Sequence, residues 1–317
     1  MQQIKQNPED FIVEEVINLE KSQGDFLYVK ITKKNLNTLD VIQEISKQLK
    51  LERKNIGFAG NKDKNAITTQ YFSLYKVKIQ DIKKIKIQNV NIIPLFYGNR
   101  PITLGSLIAN NFRIKYSIRN KRFKMNFLAN YYGDQRFSSN NKDIGKAILL
   151  KDFRKACNLI NNDKIKNHLT KKPSDPIGAL KLLDRNLLSL YINSFQSYLW
   201  NEVAKTHIKQ NNKRVREYEN LHFVERPKSN ITIPLISFDT NFKNKAIKNL
   251  YFNLLRKENV NLQDYYNNPF SYIISKTGYR RLFVKIQNFR IDRDYIEFQL
   301  PKGSYATALI KQLEALK

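Results

Sequence analysis

The hydrophobic period of the chain changes twice, and this limits the folds open to it more than any other feature. In the first third, FIVEEVI (11–17), DFLYVKITK (25–33), TTQYFSLYKVKI (68–79) and NFRIKYSI (111–118) mix β-branched and aromatic residues with polar ones at period two, the pattern of strands. One helix interrupts them. Asn37 or Thr38 can cap a run that carries Leu39, Val41, Ile42, Ile45 and Leu49 at helical spacing. KRFKMNFLAN (121–130) reads as a short helix ending near Asn130. Residues 142–161 and 177–208 are helical in pattern, with Leu180, Leu183, Leu187, Tyr191, Phe195 and Leu199 forming a stripe in the second. Residues 209–230 are polar and broken by Pro227, so they form a surface loop or a strand pair, and 243–258 is helical again. RLFVKIQNF (281–289) and YIEFQL (295–300) return to strand character before a short helix from about Thr307. Strands, then helices, then strands predict an α+β fold interrupted by a mainly helical insertion. The expected domains are 1–145 plus 276–317 and an insertion of 146–275.

Charge narrows the function. Lys and Arg number 56 against 28 Asp and Glu, a formal charge of +28 over 317 residues. Such an excess repels itself unless a polyanion offsets it. The charge is spread along the whole sequence with no isolated basic tail, so it describes a basic folded surface, and nucleic acid is the favoured partner. Cys157 is the only cysteine, which rules out an internal disulfide. His168, His207 and His222 show no ligand spacing, so no metal site is expected. No apolar run approaches the roughly 20 residues of a membrane span. The opening MQQIKQNPEDF lacks the apolar core of a signal peptide, and a cytoplasmic monomer is the expectation.

The densest chemical cluster is GFAGNKDKNAITTQ (57–70). Two glycines, an Asn and an Asp before a strand make a tight loop whose backbone can approach a ligand closely. The phosphate-loop pattern G-x-x-x-x-G-K-[ST] is absent. Taken alone, Asp63 between two lysines is an ordinary solvated turn residue.

The segment resembles the signature of the TruD family of pseudouridine synthases, close to G-x-A-G-x-K-D-x-x-A-x-T-x-Q. Gly57, Ala59, Gly60, Lys62, Asp63, Ala66, Thr68 and Gln70 all fit. Other stretches are similar to family landmarks in the same order: IKQNPEDFIVEE (4–15), LNTLDVI (36–42), LGSLIANNF (104–112), NYYGDQRF (130–137), NSFQSYLWNEVA (193–204) and LPKGSYATALIKQL (300–313). No landmark is found in roughly 205–275. Tyr132 stands where the family has Phe, and Ser138 where it has Gly.

The resemblance implies a catalytic domain with a mixed, mainly antiparallel sheet, interrupted by a helical TRUD insertion, with a cleft between the two. It implies an isomerase that converts uridine to pseudouridine in RNA, with tRNA as the usual substrate, at uridine 13 of the D arm, and no cofactor. It places the catalytic aspartate on Asp63, a supporting lysine on Lys5, a supporting amide on Asn130, and base-stacking or base-binding aromatics on Phe11 and Tyr132. Gln196 and Asn201 read as hydrogen bonders in helix packing. Lys62 is a poor partner for Asp63, because adjacent side chains of an extended segment point apart. The competing readings are a non-catalytic RNA-binding protein on the same fold and a basic ribosome-associated structural protein.

Overall fold

The structure is a computed structural model that describes residues 7–118 and 123–317, with Ser139 described by its backbone alone. The chain forms two compact units, Met1–Asn126 with Lys285–Ser304 and Phe127–Val284 with Tyr305–Lys317. The first unit begins with β1 (Phe11–Val16), β2 (Phe26–Lys34), α1 (Thr38–Leu49), β3 (Ile56–Phe58), β4 (Ile67–Tyr75), α2 (Ile79–Ile82), β5 (Val90–Gly98) and β6 (Ala109–Lys115). There follow β7 (Phe127–Ala129), α3 (Asn141–Leu149), α4 (Phe153–Leu159), α5 (Asp163–Lys171), α6 (Pro176–Lys181) and α7 (Arg185–Asn211). The hairpin β8 (Arg216–Tyr218) and β9 (Leu221–Phe223) leads to β10 (Thr232–Leu235), α8 (Lys245–Glu258), α9 (Gln263–Tyr266), β11 (Gly278–Arg281) and β12 (Phe283–Lys285). Then β13 (Gln287–Asp292) and β14 (Tyr295–Pro301) return to the first unit, and α10 (Ala306–Leu316) closes the second.

The sheet of the first unit runs β13-β14-β6-β1-β4-β2-β5, with β3 beside β4. It is mixed and mainly antiparallel: β1 and β4 are parallel, and the other neighbours are antiparallel. The register sets Val13 opposite both Thr68 and Phe112, and Ile31 opposite Gln70. Side chains alternate across a strand, so these residues share one face. Over part of that face lies α1, whose Val41, Ile42 and Ile45 pack on Leu27, Val29, Ile31, Phe72 and Leu74. Leu39, counted on the apolar stripe of α1 from its spacing, is instead 52% exposed.

In the second unit α7 is buried on several sides and not along one stripe: Leu188, Ile192, Phe195, Leu199, Trp200, Val203 and Ala204 are all inside. Its polar residues are inside too. Gln196 Nε2 donates to Ile236 O at 2.7 Å and Trp200 Nε1 donates to Ile233 O at 3.2 Å. Among the described residues no helix is long and apolar enough to cross a membrane.

Some elements differ from the reading by period. The segment 121–130 holds a strand, β7, and not a helix; its residues 121–122 lie outside the described set. Ala129 N donates to Gln312 Oε1 and Gln312 Nε2 donates to Phe127 O, both at 2.8 Å, so a partner far along the chain fixes this backbone. Those bonds also explain why the second unit starts at Phe127 and includes α10, whereas the change of period placed the boundaries at 145/146 and 275/276. The run 142–161 is two helices, parted at Lys151 (φ 60°), after which Asp152 caps α4. The run 177–208 is likewise divided, and Asp184 caps α7 by accepting from Asn186 N at 2.8 Å.

Candidate active site

The expected residues fall in both units and are described unit by unit. Lys5 lies outside the described residues.

In the first unit the loop between β3 and β4 carries Asp63, which is half-buried. Gly57, in β3 just ahead of this loop, stands where no side chain fits: a Cβ would lie 2.3 Å from Ile102 O and 2.4 Å from Ser73 Oγ. The close approach foreseen for this glycine is therefore made to the protein's own backbone. Beyond it, residues from separate segments hold the loop against the sheet. Lys62 Nζ pairs with Glu15 Oε1 at 2.8 Å and donates to Asn110 Oδ1 at 2.8 Å. Gln70 Nε2 donates to Gly60 O at 2.7 Å and to Glu15 Oε1 at 3.3 Å. Thr38 Oγ1 donates to Gln70 Oε1 at 2.8 Å and accepts from Lys62 N at 3.0 Å. Tyr71 N donates to the other Glu15 oxygen at 3.2 Å. The Glu15 side chain is fully buried and that of Lys62 nearly so.

Thus Lys62 turns into the sheet, to Glu15 and Asn110. The landmark residues Glu15, Thr38, Lys62, Gln70 and Asn110 form one buried polar network. Burying that many polar atoms is tolerable because they satisfy one another.

A second lysine touches the Asp63 backbone. Lys33, at the inner face of β2, is 1% exposed, and its Nζ donates to Asp63 O at 2.9 Å and to Leu36 O at 2.7 Å. Burial pushes its ammonium down to about 8; the negative charge of Asp63 opposes the fall, Lys62 adds to it, and Asp40 opposes it. Sequence reading passed over Lys33 because it stands among many strand lysines. The one signal was a lysine at a position where alternation asks for an apolar residue. Phe11 opens β1 and is 2% exposed, edge-on to Phe112 at 6.2 Å, so its ring packs within the core.

In the second unit Asn130 follows β7 and is 5% exposed. Its Nδ2 donates to Arg281 O at 3.1 Å, and its Oδ1 accepts from Arg280 Nη2 at 2.8 Å. Arg280 Nε also donates to Asn130 O at 2.7 Å. The guanidinium carbon lies 4.1 Å from the centre of the Tyr132 ring and 5.5 Å from that of Trp200. Tyr132 stands edge-on to Trp200 at 5.8 Å and tilted against Tyr305 at 5.9 Å. Its backbone is pinned by Asn201, which donates to Tyr132 O at 3.0 Å and accepts from Tyr132 N at 2.9 Å. Gly133 is required next, because a Cβ there would meet Thr307 Oγ1 at 2.7 Å and Tyr305 at 2.8 Å. Burial lowers the pKa of Arg280, with the charges of Tyr132 and Tyr305 opposing, and a guanidinium remains a cation throughout. The unit therefore presents a half-buried Tyr132 braced by a cation and two aromatic rings. Arg280 was not singled out from the sequence, since an arginine in a basic chain gives no local signal.

Replacing Arg280 by Met removes the bond that it donates to each Asn130 oxygen and should cost about 1.5–3 kcal/mol. Urea unfolding measures the loss, and the fluorescence of Trp200, the only tryptophan, reports the local repacking. Unchanged stability and emission would show that Arg280 does not brace this turn. Among the described residues no group of three or more His, Cys, Asp or Glu is placed to hold a metal ion.

Comparison with known proteins matches the chain to the family model for tRNA pseudouridine synthase D (TruD) over residues 2–166, 159–221 and 211–313. The match runs through 205–275, where no landmark was found by inspection. A protein of Nanoarchaeum equitans that carries the name tRNA pseudouridine synthase D is 29% identical over 98% of this chain and 98% of its own. One from Thermoplasma volcanium with that name is 26% identical over 99% of this chain and 95% of its own. The fold is similar to the crystal structure of a Methanosarcina mazei protein titled as tRNA pseudouridine synthase D, with a TM-score of 0.68 at 24% identity, covering 98% of this chain and 92% of that one.

Proposed function

Because the chain belongs to the TruD family of tRNA pseudouridine synthases, we propose that it isomerises a uridine of tRNA to pseudouridine, at position 13 of the D arm, with Asp63 as the catalytic carboxylate. The observation that carries the reading is the buried network that presents the Asp63 loop. It is built from the signature residues Lys62 and Gln70 together with Glu15, Thr38 and Asn110. A solvated turn would need none of it.

In the net reaction the N1–C1′ bond breaks, the C5–C1′ bond forms, and the proton on C5 is replaced by one on N1. No electrons or groups pass to a second molecule, so the chemistry calls for no cofactor. Asp63 acts at the sugar, as nucleophile at C1′ or base at C2′, and either role needs the ionised carboxylate. Lys5 retains its assignment as a supporting cation.

The target base must leave its stack, at a cost of a few kcal/mol. Stacking on an aromatic face offsets about 1–3 kcal/mol of that. We assign the stacking to Tyr132. The Asn130 amide is committed to Arg280 and Arg281, so its support is to hold the turn that carries Tyr132. Phe11, buried at the start of β1, serves as packing under the catalytic strands. The sheet unit is the catalytic domain in this reading, and the helical unit is the insertion that helps hold the RNA. The excess positive charge favours phosphate contacts over both.

The test is incubation of the purified protein with an unmodified tRNA transcript, followed by mapping of pseudouridine along the RNA. Conversion of uridine 13 is expected. No conversion in any tRNA, with binding intact, would favour the non-catalytic RNA-binding reading.

A further inference from the structure

The inner face of β2 is apolar at Leu27, Val29 and Ile31, and then places an ammonium group at Lys33. The outward lysines of the same strand reach carboxylates at the surface: Lys30 pairs with Glu14 and Lys34 with Glu9. Lys33 instead sits inside, and its described contacts are the carbonyl oxygens of Leu36 and Asp63. Removing an ammonium from water costs several kcal/mol, and two carbonyl dipoles repay it only in part. Another Val or Ile would fill the position at no such cost. The charge is therefore the property being kept.

Among the described residues, few groups face Lys33. Asp63 and Lys62 come from the loop, Asp40 from α1, and the uncharged Thr68 stands opposite on β4. Lys62 is itself neutralised by Glu15.

We propose that Lys33 is a positioning residue for Asp63: its buried ammonium fixes the backbone at Asp63 through the carbonyl oxygen and adds a fixed positive charge that holds the Asp63 carboxylate ionised. The inference rests on the reading of Asp63 as the catalytic carboxylate. It gives the loop a source of charge built into the sheet, in addition to Lys5. The ammonium and the carboxylate are coupled, so each favours the charged form of the other by the same free energy.

Two measurements test this. In Lys33→Met the acid limb of the single-turnover pH–rate profile should move up by about one unit, and the plateau rate should fall by about 10²-fold as Asp63 loses its position. The second measurement avoids any failure of that variant to fold. In the wild-type protein, nitrogen-15 NMR of the lysine side chains should find a signal with a midpoint near 8, and in Asp63→Asn that midpoint should fall. An unmoved acid limb in folded Lys33→Met would overturn the proposal. So would a Lys33 midpoint that is the same with and without the Asp63 charge. If Asp63→Asn keeps its turnover, the catalytic assignment fails instead, and the two failures are distinguishable.

Discussion

Asp63→Asn is expected to lower the rate of pseudouridine formation at saturating tRNA by about 10³–10⁴-fold, the contribution of a positioned acid–base or nucleophilic group. Affinity for tRNA and the unfolding midpoint should stay close to wild type. The amide keeps the size of the carboxylate but is neither a nucleophile nor a base at neutral pH. Lys62, Gln70 and Thr38 hold the loop and Lys33 bonds the Asp63 carbonyl, and the substitution retains all of these contacts. Single-turnover conversion followed alongside filter binding separates the two effects. A rate within about tenfold of wild type, a barrier change of only ~1.4 kcal/mol, would remove Asp63 from the chemistry. An RNA-binding protein without catalysis would show no conversion even before the substitution.

What could be read from the chain before its structure was the local and periodic part. The strands around Phe11–Val16, Phe26–Lys34 and Ile67–Tyr75 follow from alternation, and α1 from the stripe of Val41, Ile42 and Ile45; Asn37 stands at its N-cap position without a side-chain cap, and the Thr38 hydroxyl bonds Gln70 instead. β5 escaped notice because Pro94 interrupts it. At the end of the sheet order, a strand tolerates a proline that a central strand would not. β7 was read as a helix because its few residues carry no period strong enough to outweigh the helix formers around them. Its conformation is fixed by pairing with β12 and by Gln312, both remote in sequence. The signature loop was legible as a pattern, but the pattern did not say which side chains react and which hold. The fold separates them: Lys62 turns inward to Glu15, whereas Asp63 remains half-buried at the loop surface. The roles of Lys33 and Arg280 depend on carbonyl partners that lie remote in sequence, and no local spacing encodes such contacts.

The pair Glu15–Lys62 carries the second large effect. Glu15→Ala removes the carboxylate from a site where its side chain is fully buried and leaves the Lys62 ammonium, also nearly buried, without its counter-charge. Breaking such a pair from one side costs about 3–5 kcal/mol, because the stranded charge keeps its desolvation penalty. Tyr71 N and Gln70 Nε2 lose an acceptor in the same step. Lys62→Met strands the carboxylate in turn and should cost a similar amount. The two losses will not add. In the double variant Glu15→Ala with Lys62→Met neither charge of the pair is left stranded, so the loss of stability should be well below the sum of the single losses. Activity should behave differently. Without Lys62 to bridge Glu15 and Asn110 the loop loses its anchor, and the double variant should remain slow at saturating tRNA even where its stability recovers. Urea unfolding of the single and double variants, with single-turnover rates measured on each, checks both halves. Strict additivity in stability would mean that the pair does not act as a unit. Full recovery of the rate in the double variant would mean that the network stabilises the sheet without positioning Asp63.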